Sequence, residues 1–501
     1  TMEAEYLMLS YLLKLEDRDR WKMISNYMLS RQQDDGSWAQ YFNAPGNLST
    51  TVECYLALKL AGVSTSDPEM IKARDFIISR GGIQETRVFT KIWLAMLGQY
   101  DWARLPALPP EIILLPNWFP FNIYQFSSWA RATIVPMSII LAEKPSRPVP
   151  QWAAVPELYL HQKQHSETHR SQRKSISGLR TILHGVDWLL RLYNNSPIKP
   201  GREYSEKRAV QWILTHQEAD GSWGGIQPPW VYSLIALKHL GFSVDHPSMK
   251  AGWEGFETFG IQEGNSWRLQ ACISPGWDTC LAQIAMLESG ISPDHPAIER
   301  STRWLISQQI LQGGDWQVKA PQTPPGGWAF EFANNNYPDI DDVSEVVMAL
   351  HLAHLPGSED NNRKTAIERG VAWLLALQSS NGGWAAFDKD NNHQYMSKIP
   401  FADFGEMLDP PSVDVTAHVL EALGKLGYDR TTSAINRAYQ YIRSEQEDDG
   451  SWFGRWGVNY IYGTGAVLPA MQAIGEDMSQ LYIQRAVEWI RNHQNIDGGW
   501  G

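Results

Sequence analysis

The sequence predicts an all-α protein of two α/α toroids, double-ring helical barrels in which an inner ring of helices is surrounded by an outer ring. Three observations lead to this prediction. The chain has 501 residues, too many for one ordinary core. A short motif ending in Gly-x-Trp recurs along it, and helices with one polar stripe alternate with helices that are apolar all round. We expect one toroid in residues 1–245 and a second in residues 246–501, enclosing an apolar cavity at their interface.

The repeated motif predicts the outer helices. It consists of an aromatic-aliphatic pair, three residues, a glutamine, a short turn and Gly-x-Trp. Its six copies pair Gln32 with Trp38, Gln217 with Trp223, Gln309 with Trp316, Gln378 with Trp384, Gln446 with Trp452 and Gln494 with Trp500. Each copy ends a run of apolar residues at helical spacing, and its glycine suits the positive φ found past a helix end. We expect the amide to satisfy open backbone groups and the indole to lie on the next outer helix.

A second kind of helix follows these turns, at residues 51–62, 230–241, 277–290 and 414–424. These segments are apolar almost all round, which predicts that they form the inner ring. Inner helices of a toroid run in the same direction, so their N-terminal ends should converge on one mouth of the ring. The polar and aromatic residues at those ends are Glu53, Gln227, Trp230, Trp277, Asp339, Asp341, Asp342, Asp414, His418, Tyr460 and Tyr462.

The composition excludes several classes of protein. Hydrophobic residues make up 43% of the chain and charged residues 20%, which indicates a folded protein. The net charge of −12 has the wrong sign for a phosphate-binding surface, so nucleic acid is not an expected partner. Three scattered cysteines indicate a reducing compartment, and no apolar run is long enough to span a membrane. We therefore expect a location on the cytosolic side.

Three carboxylates lie within four residues, at Asp339, Asp341 and Asp342, where an inner helix is predicted to begin. Helix capping explains one or two of them. Two carboxylates about 4 Å apart repel by roughly 4 kcal/mol at an effective dielectric near 20, which corresponds to about three pKa units. Repulsion and burial should therefore leave one proton on the cluster near neutral pH.

A buried, protonated carboxylic acid beside aromatic rings suits the protonation of an alkene. The chain contains 23 Trp, 19 Tyr and 15 Phe residues. Each ring face can stabilise a carbocation by roughly 0.5 to 2 kcal/mol, and it offers no lone pair to trap the cation. His418 lies one turn after Asp414, so the two can share a helix face, and an imidazolium there could hydrogen-bond the acid. A histidine satisfied within the core is the structural alternative.

Two motifs resemble metal sites and are rejected. Residues 341–345 read as DDxxE, but no second metal motif with basic diphosphate ligands accompanies them. Residues 388–392 begin like a calcium loop, yet His393 and Ile399 stand where glycine and glutamate are required. We therefore expect no metal and no cofactor. A basic stretch between His161 and Arg180 precedes the apolar run from Val186 to Leu192, which is equally consistent with a membrane-surface contact and with a solvated loop.

The DxDD acid motif, the glutamine-tryptophan repeats and the string from Gly454 to Gly463 resemble the squalene–hopene cyclases, a class II triterpene cyclase family, along the whole chain. The resemblance implies that Asp341 donates the proton, that Asp339 and Asp342 support it, and that His418 hydrogen-bonds it. It also implies cavity aromatics at Trp129, Trp277, Phe330, Phe387, Trp456 and Tyr462, a polar end and water network at Gln227, Pro228, Glu5, Glu53 and Arg87, and a channel constriction at Phe126, Ile134 and Phe401.

The same resemblance implies cyclisation of squalene to hopene and hopanol by a monotopic protein on one membrane leaflet, with a homodimer as a further expectation. Phe387, Glu331 and Val343 stand where some members carry tyrosine, glutamine and threonine, which concerns the product distribution. Relatives also continue past the last repeat, so we expect this chain to be truncated at both ends. The alternatives are a cyclase of another linear isoprenoid, an inactive fragment, an α/α-toroid glycoside hydrolase and a zinc prenyltransferase subunit.

Overall fold

The computed structural model describes residues 1–160, 178–399 and 406–500. In chain order its α-helices are α1 (Met2–Leu13), α2 (Arg18–Ser30), α3 (Leu48–Ala61), α4 (Pro68–Ser79), α5 (Val88–Met96), α6 (Ser128–Glu143), α7 (Gly178–Asn195), α8 (Arg202–Thr215), α9 (Gln227–His239), α10 (Pro247–Glu257), α11 (Pro275–Glu288), α12 (Pro296–Ser307), α13 (Ile340–Leu352), α14 (Glu359–Ala376), α15 (Val413–Lys425), α16 (Ser433–Ser444), α17 (Asn459–Ala473) and α18 (Leu481–Asn492). The prediction of an all-α fold is confirmed apart from one hairpin, β1 (Gly260–Glu263) and β2 (Ser266–Leu269).

The chain forms two compact units. The first comprises Thr1–Ile123, Arg131–Cys272 and Gln394–Met407, and the second comprises Tyr124–Ala130, Ile273–His393 and Leu408–Gly501. The main change of unit therefore falls at Cys272, later than the boundary expected after residue 245. Helix α10 and the hairpin explain this position, because α10 packs on α9 and strand β2 packs on α1 and α2.

In the second unit, helices alternate between two rows. Helices α11, α13, α15 and α17 lie side by side, and α12, α14, α16 and α18 each pack against the preceding member of that row. Helix α13 is buried from Ile340 to Leu350, as expected for a helix without a polar face. Helix α11 differs from the expectation, because only Gly276, Cys280 and Gln283 are buried; it stands at one end of the row.

The first unit follows the same alternation. Helices α1, α3 and α9 form the inner group, with α1 in contact with both of the others, while α2, α4 and α10 pack outside them. Every residue of α3 from Ser49 to Leu60 is buried, and so are Trp230 to Leu237 of α9. The apolar periodicity of these segments therefore predicted their place in the fold.

The repeated glutamine satisfies backbone groups at the helix end, as predicted, and the indole of the repeated tryptophan hydrogen-bonds its own helix. Each Gln Nε2 donates to the carbonyl of the turn glycine and, in the first five copies, also to a carbonyl of the next outer helix, as Gln378 does to Gly382 and Ala434 at 2.7 and 2.8 Å. Each indole Nε1 donates to a carbonyl near the end of its own helix, as Trp384 does to Leu374 at 2.7 Å. Gly382 has φ of 96°, and a Cβ atom there would lie 2.6 Å from a backbone oxygen.

The third copy of the repeat was assigned wrongly from the sequence. Gln309 donates to Gly326 and not to Gly314, and Trp328 is the indole that donates to Leu305, at 2.6 Å. The indole nitrogen of Trp316 is buried without a hydrogen-bond partner. The copy therefore ends at Trp328 and contains an inserted loop, in which Gly-Asp-Trp imitates the end of the motif.

Candidate active site

The three predicted carboxylates begin helix α13 and point to different partners. Asp339 is the N-cap residue, and its Oδ1 accepts hydrogen bonds from the amides of Asp341 and Asp342 at 2.8 and 3.4 Å. Asp342 is 1% exposed, and its Oδ1 is buried without a hydrogen-bond partner. Asp341 faces helix α15. A single helix start therefore holds all three acids within one buried cluster.

Burial and mutual repulsion favour the protonated forms in this cluster. Burial and the charge of Asp341 hold the pKa of Asp339 well above its usual value. Burial and the charges of Asp339 and Asp341 do the same for the pKa of Asp342. Both effects disfavour the charged form of a carboxyl, as the spacing of the motif predicted.

The partner of Asp341 is His418, which reaches it from the inner helix α15. His418 Nδ1 lies 2.6 Å from Asp341 Oδ1 and 3.9 Å from Glu345 Oε1. Burial alone lowers the pKa of an imidazole, but the Asp341 carboxylate opposes this effect and raises the pKa of His418 to about 10. When Asp341 is ionised, His418 is therefore a buried imidazolium that can donate a hydrogen bond to the carboxylate.

Two acidic residues beside His418 have roles that the sequence did not show. Asp414 was considered as the partner of His418, but its Oδ2 accepts a hydrogen bond from the amide of Trp456 at 2.7 Å. Glu345 lies one turn after Asp341 and has no role predicted from the sequence. Burial raises the pKa of Glu345 to about 7, although the positive charge of His418 opposes the shift. Its spacing of four residues from Asp341 was the available signal.

Three of the predicted cavity aromatics form an edge-to-face triangle. The ring centroids of Trp129 and Trp456 are 5.6 Å apart, those of Trp129 and Phe387 are 6.0 Å apart, and those of Phe387 and Trp456 are 6.1 Å apart. The interplanar angles lie between 71° and 87°. This geometry is favourable for aromatic pairs and fixes the orientation of each ring face.

Two of the other predicted aromatics lie beside His418. The ring of Tyr462 lies 5.8 Å from that of His418, and the ring of Trp277 lies 6.2 Å from it. Phe330 is half-buried beside the start of α11, where its carbonyl accepts a hydrogen bond from the amide of Gly276 at 3.3 Å. The second unit therefore places aromatic rings beside the cluster of carboxyls.

The predicted polar end lies in the first unit. Glu5 accepts hydrogen bonds from Trp93 Nε1 at 2.9 Å and from Gln227 Nε2 at 2.8 Å. Burial and the charge of Glu53 raise the pKa of Glu5 to about 7. Glu53 accepts a hydrogen bond from Thr90, and Arg87 lies 4.0 Å from it. Pro228 is exposed in the first turn of α9, beside Gln227. Sequence reasoning missed Thr90 and Trp93, which lie on α5 outside any repeat.

The predicted channel residues are only partly described. Phe126 is 2% exposed and Ile134 is 1% exposed, and the two belong to different units. Phe401 lies outside the described residues, as does the basic stretch from Lys163 to Lys174. The constriction stays a prediction.

A cavity of about 440 Å³ lies in the second unit, between the C-terminal end of α12, the loops that follow it and Gly276 at the start of α11. Its wall includes Gln308, Gln309, Glu331 and Asn335. These amides and the carboxylate make it polar, so it is a different feature from the apolar cavity predicted between the toroids, which stays a prediction.

In the described ranges, no three His, Cys, Asp or Glu side chains come together so that they could hold a metal ion. None of the helices in the same part of the chain is long and apolar enough to cross a membrane. The prediction that catalysis needs no metal or cofactor stays a prediction.

Comparison with known proteins gives consistent matches along the chain. The squalene-hopene cyclase N-terminal domain matches residues 1–265, and the C-terminal domain of the same family matches residues 273–501. A squalene–hopene cyclase of Alicyclobacillus acidocaldarius is 48% identical over 93% of this chain and 73% of its own length. A dammaradiene synthase of Dryopteris crassirhizoma is 37% identical over 93% of this chain and 68% of its own length.

Among solved structures, ent-copalyl diphosphate synthase from Streptomyces platensis aligns with 100% of this chain and 85% of its own chain, at 16% identity and a TM-score of 0.47.

Proposed function

The chain belongs to the squalene-hopene cyclase family and is a class II triterpene cyclase, and from this premise we propose that it converts squalene to hopene and hopanol. The observation that supports the proposal most directly is the 2.6 Å contact between Asp341 and His418 within a buried cluster of carboxyls. The aromatic rings beside that cluster suit a substrate that has no polar groups and reacts through carbocations.

In this proposal Asp341 is the proton donor. Its Oδ1 faces the imidazolium of His418, so the transferred proton leaves from the other oxygen. The π electrons of a terminal alkene form the new C–H bond, the O–H electrons stay on Asp341, and a tertiary carbocation results. The carboxylate left behind then faces the His418 cation, which stabilises it as charge develops. Asp339 and Asp342 support this step because their raised pKa values keep further negative charge out of the cluster.

The aromatic residues stabilise the carbocations of the later steps. Trp129, Phe387 and Trp456 hold one another edge to face, so their ring faces are oriented before substrate binds. Trp277, Phe330 and Tyr462 lie on the acid side. Each face is worth roughly 0.5 to 2 kcal/mol to a nearby cation. None of these rings carries a basic lone pair that would end the reaction early.

The carboxylates of the first unit are suited to ending the reaction. Glu5, whose pKa is about 7, can accept a proton near neutral pH, and Gln227 holds it in place. Loss of a proton from the final cation gives hopene, and addition of water gives hopanol. Glu53, Arg87 and Pro228 complete this polar end. The substrate gains one proton from Asp341 and loses one proton at this polar end, so the cyclisation to hopene is an isomerisation.

The test is to incubate the purified enzyme with squalene and to identify the lipid products by gas chromatography and mass spectrometry. We expect pentacyclic hopene and hopanol. Dammaradiene, the product in the name of the Dryopteris crassirhizoma relative, would contradict the proposed products, and conversion of another linear isoprenoid in preference to squalene would contradict the proposed substrate.

The proposal includes attachment to one membrane leaflet from the cytoplasmic side. Helix α7 exposes Val186, Trp188, Leu189 and Leu192 at helical spacing, with 43 to 59% of each residue accessible. Such an apolar face suits an interfacial helix. Trp188→Glu combined with Leu189→Glu should reduce sedimentation with phosphatidylglycerol vesicles about tenfold, whereas Phe42→Glu, on an exposed loop elsewhere, should not. Equal loss in both variants would contradict this part of the proposal.

A homodimer is also proposed, and light scattering in detergent would test it.

A further inference from the structure

One buried carboxylate, outside the predicted site, holds the loop that carries Phe387. Asp409 is 0% exposed. Its Oδ2 accepts hydrogen bonds from the amides of Phe387 and Asp388 at 2.7 and 2.9 Å, and its Oδ1 accepts one from the amide of Ala386 at 3.3 Å. Three consecutive backbone amides thus converge on one side chain. Such an arrangement fixes the path of the backbone on both sides of the Phe387 ring.

The same loop is bound to the helix that carries the acid. The amide of Ile340 donates a 2.7 Å hydrogen bond to the carbonyl of Ala386. Ile340 directly follows Asp339, the N-cap residue of α13. The segment held by Asp409 therefore contacts the start of the acid helix through its backbone and the aromatic triangle through the Phe387 ring.

Asp409 is itself held from both sides. Its amide donates to Asn391 Oδ1 at 3.3 Å, and the two residues form an antiparallel bridge. The carbonyl of the preceding Leu408 accepts a hydrogen bond from Arg455 at 3.1 Å. Burial and the charge of Asp388 raise the pKa of Asp409 to about 7, and the three amide donors oppose this shift because they favour the ionised carboxylate.

We propose that Asp409 is a positioning residue that sets the product distribution by fixing the place of the Phe387 ring. The inference rests on the proposed function, because it concerns the carbocations of that reaction. Asp409 acts through the loop, and its carboxylate is occupied by backbone amides. A ring that moves within the triangle stabilises its cation less well, so deprotonation at an intermediate stage competes better with further ring closure.

The test compares product ratios. Asparagine at this position keeps an acceptor for Phe387 and Asp388 but presents an N–H group to Ala386, whereas alanine removes all three acceptors. Asp409→Asn should raise the share of partly cyclised products about threefold, the ratio expected when one weak cation–π contact is impaired, and Asp409→Ala should raise it further. Asp449→Asn is the matched control, since this exposed aspartate accepts hydrogen bonds from the amide and hydroxyl of Ser451 and from the indole of Trp489 in another turn of the repeat, away from Phe387.

A double-mutant cycle separates positioning from a general structural effect. If Asp409 acts through the ring, Asp409→Asn adds nothing to the product ratio of Phe387→Ala. Thermal unfolding of each variant identifies loss of the fold, and should Asp409→Ala fail to fold, Asp409→Asn decides the question alone. An unchanged ratio in Asp409→Asn, or an effect that adds fully to that of Phe387→Ala, would overturn the inference. A wild-type enzyme that consumes no squalene would contradict the proposed function and this inference together.

Discussion

Replacing Asp341 by asparagine removes one charge from the cluster and keeps the shape of the side chain. Burial alone would lower the pKa of His418, and the carboxylate 2.6 Å away is the main group that raises it from 6.5 to about 10. Each pKa unit corresponds to about 1.36 kcal/mol, so the site favours the imidazolium by roughly 5 kcal/mol relative to water. In Asp341→Asn the pKa of His418 should therefore fall by about two units or more.

The catalytic activity of Asp341→Asn should fall as well. If Asp341 supplies the proton, squalene turnover should drop by about a thousandfold or more, the contribution typical of a general acid, while the variant stays folded. Labelled-histidine NMR follows the pKa of His418, product analysis follows turnover, and thermal unfolding follows the fold. Asp220→Asn, which affects only a turn amide of the first unit, is the control. Substantial cyclisation by Asp341→Asn would refute Asp341 as the donor, and a His418 pKa that stays near 10 in this variant would refute the electrostatic account.

Further measurements test other parts of the site and the fold. Phe387→Ala should shift products toward partly cyclised terpenes without stopping squalene consumption, and an unchanged product profile would assign that ring to packing alone. The pKa of His418 is about 10 in the folded protein and 6.5 in the unfolded chain. The ion pair with Asp341 therefore stabilises the fold fully below about pH 6, and this stabilisation is lost as the pH rises through 10. The free energy of unfolding of the wild type should fall more steeply toward pH 10 than that of His418→Asn, and parallel curves would contradict this. Trp328→Phe should lower the free energy of unfolding by about 1 to 3 kcal/mol, and Trp316→Phe should lower it clearly less, because the indole of Trp328 has a hydrogen-bond partner and that of Trp316 has none. A larger loss in Trp316→Phe would favour the assignment of Trp316 to the repeat. EDTA should leave turnover unchanged, and a loss that magnesium or zinc restores would bring back a metal-dependent reading.

The fold was predictable because its signals are local. Burial of every side of α3 and α9 follows from helices that lack a polar stripe, and the glutamine-tryptophan pairs repeat at fixed spacing. The assignment of the tryptophan in the third repeat was wrong for a physical reason. Both Trp316 and Trp328 follow a glycine after Gln309, and only the path of the inserted loop decides which indole reaches the helix carbonyl. The spacing of residues along the sequence does not determine the backbone path of that loop.

The site was predictable where it lies within one helix start and less so where it spans two helices. The crowding of Asp339, Asp341 and Asp342 follows from three positions within a single turn. The contact of His418 with Asp341 was expected from the family resemblance, and it does not follow from spacing, because helical spacing says nothing of how α15 packs against α13. Asp341 and His418 are 77 residues apart, and packing alone brings them to 2.6 Å.

The three carboxyls at the start of α13 have different surroundings, although they lie within four residues of one another. An N-cap side chain must turn back toward the helix amides, so Asp339 is held as an acceptor of backbone hydrogen bonds. The next two acids leave the first turn in different directions, and one meets the His418 cation while the other keeps an unpaired oxygen. Burial and repulsion within the turn hold the pKa values of Asp339 and Asp342 well above their usual range. The geometry of a single helix start therefore places one carboxyl beside the His418 cation and favours the protonated form of the other two.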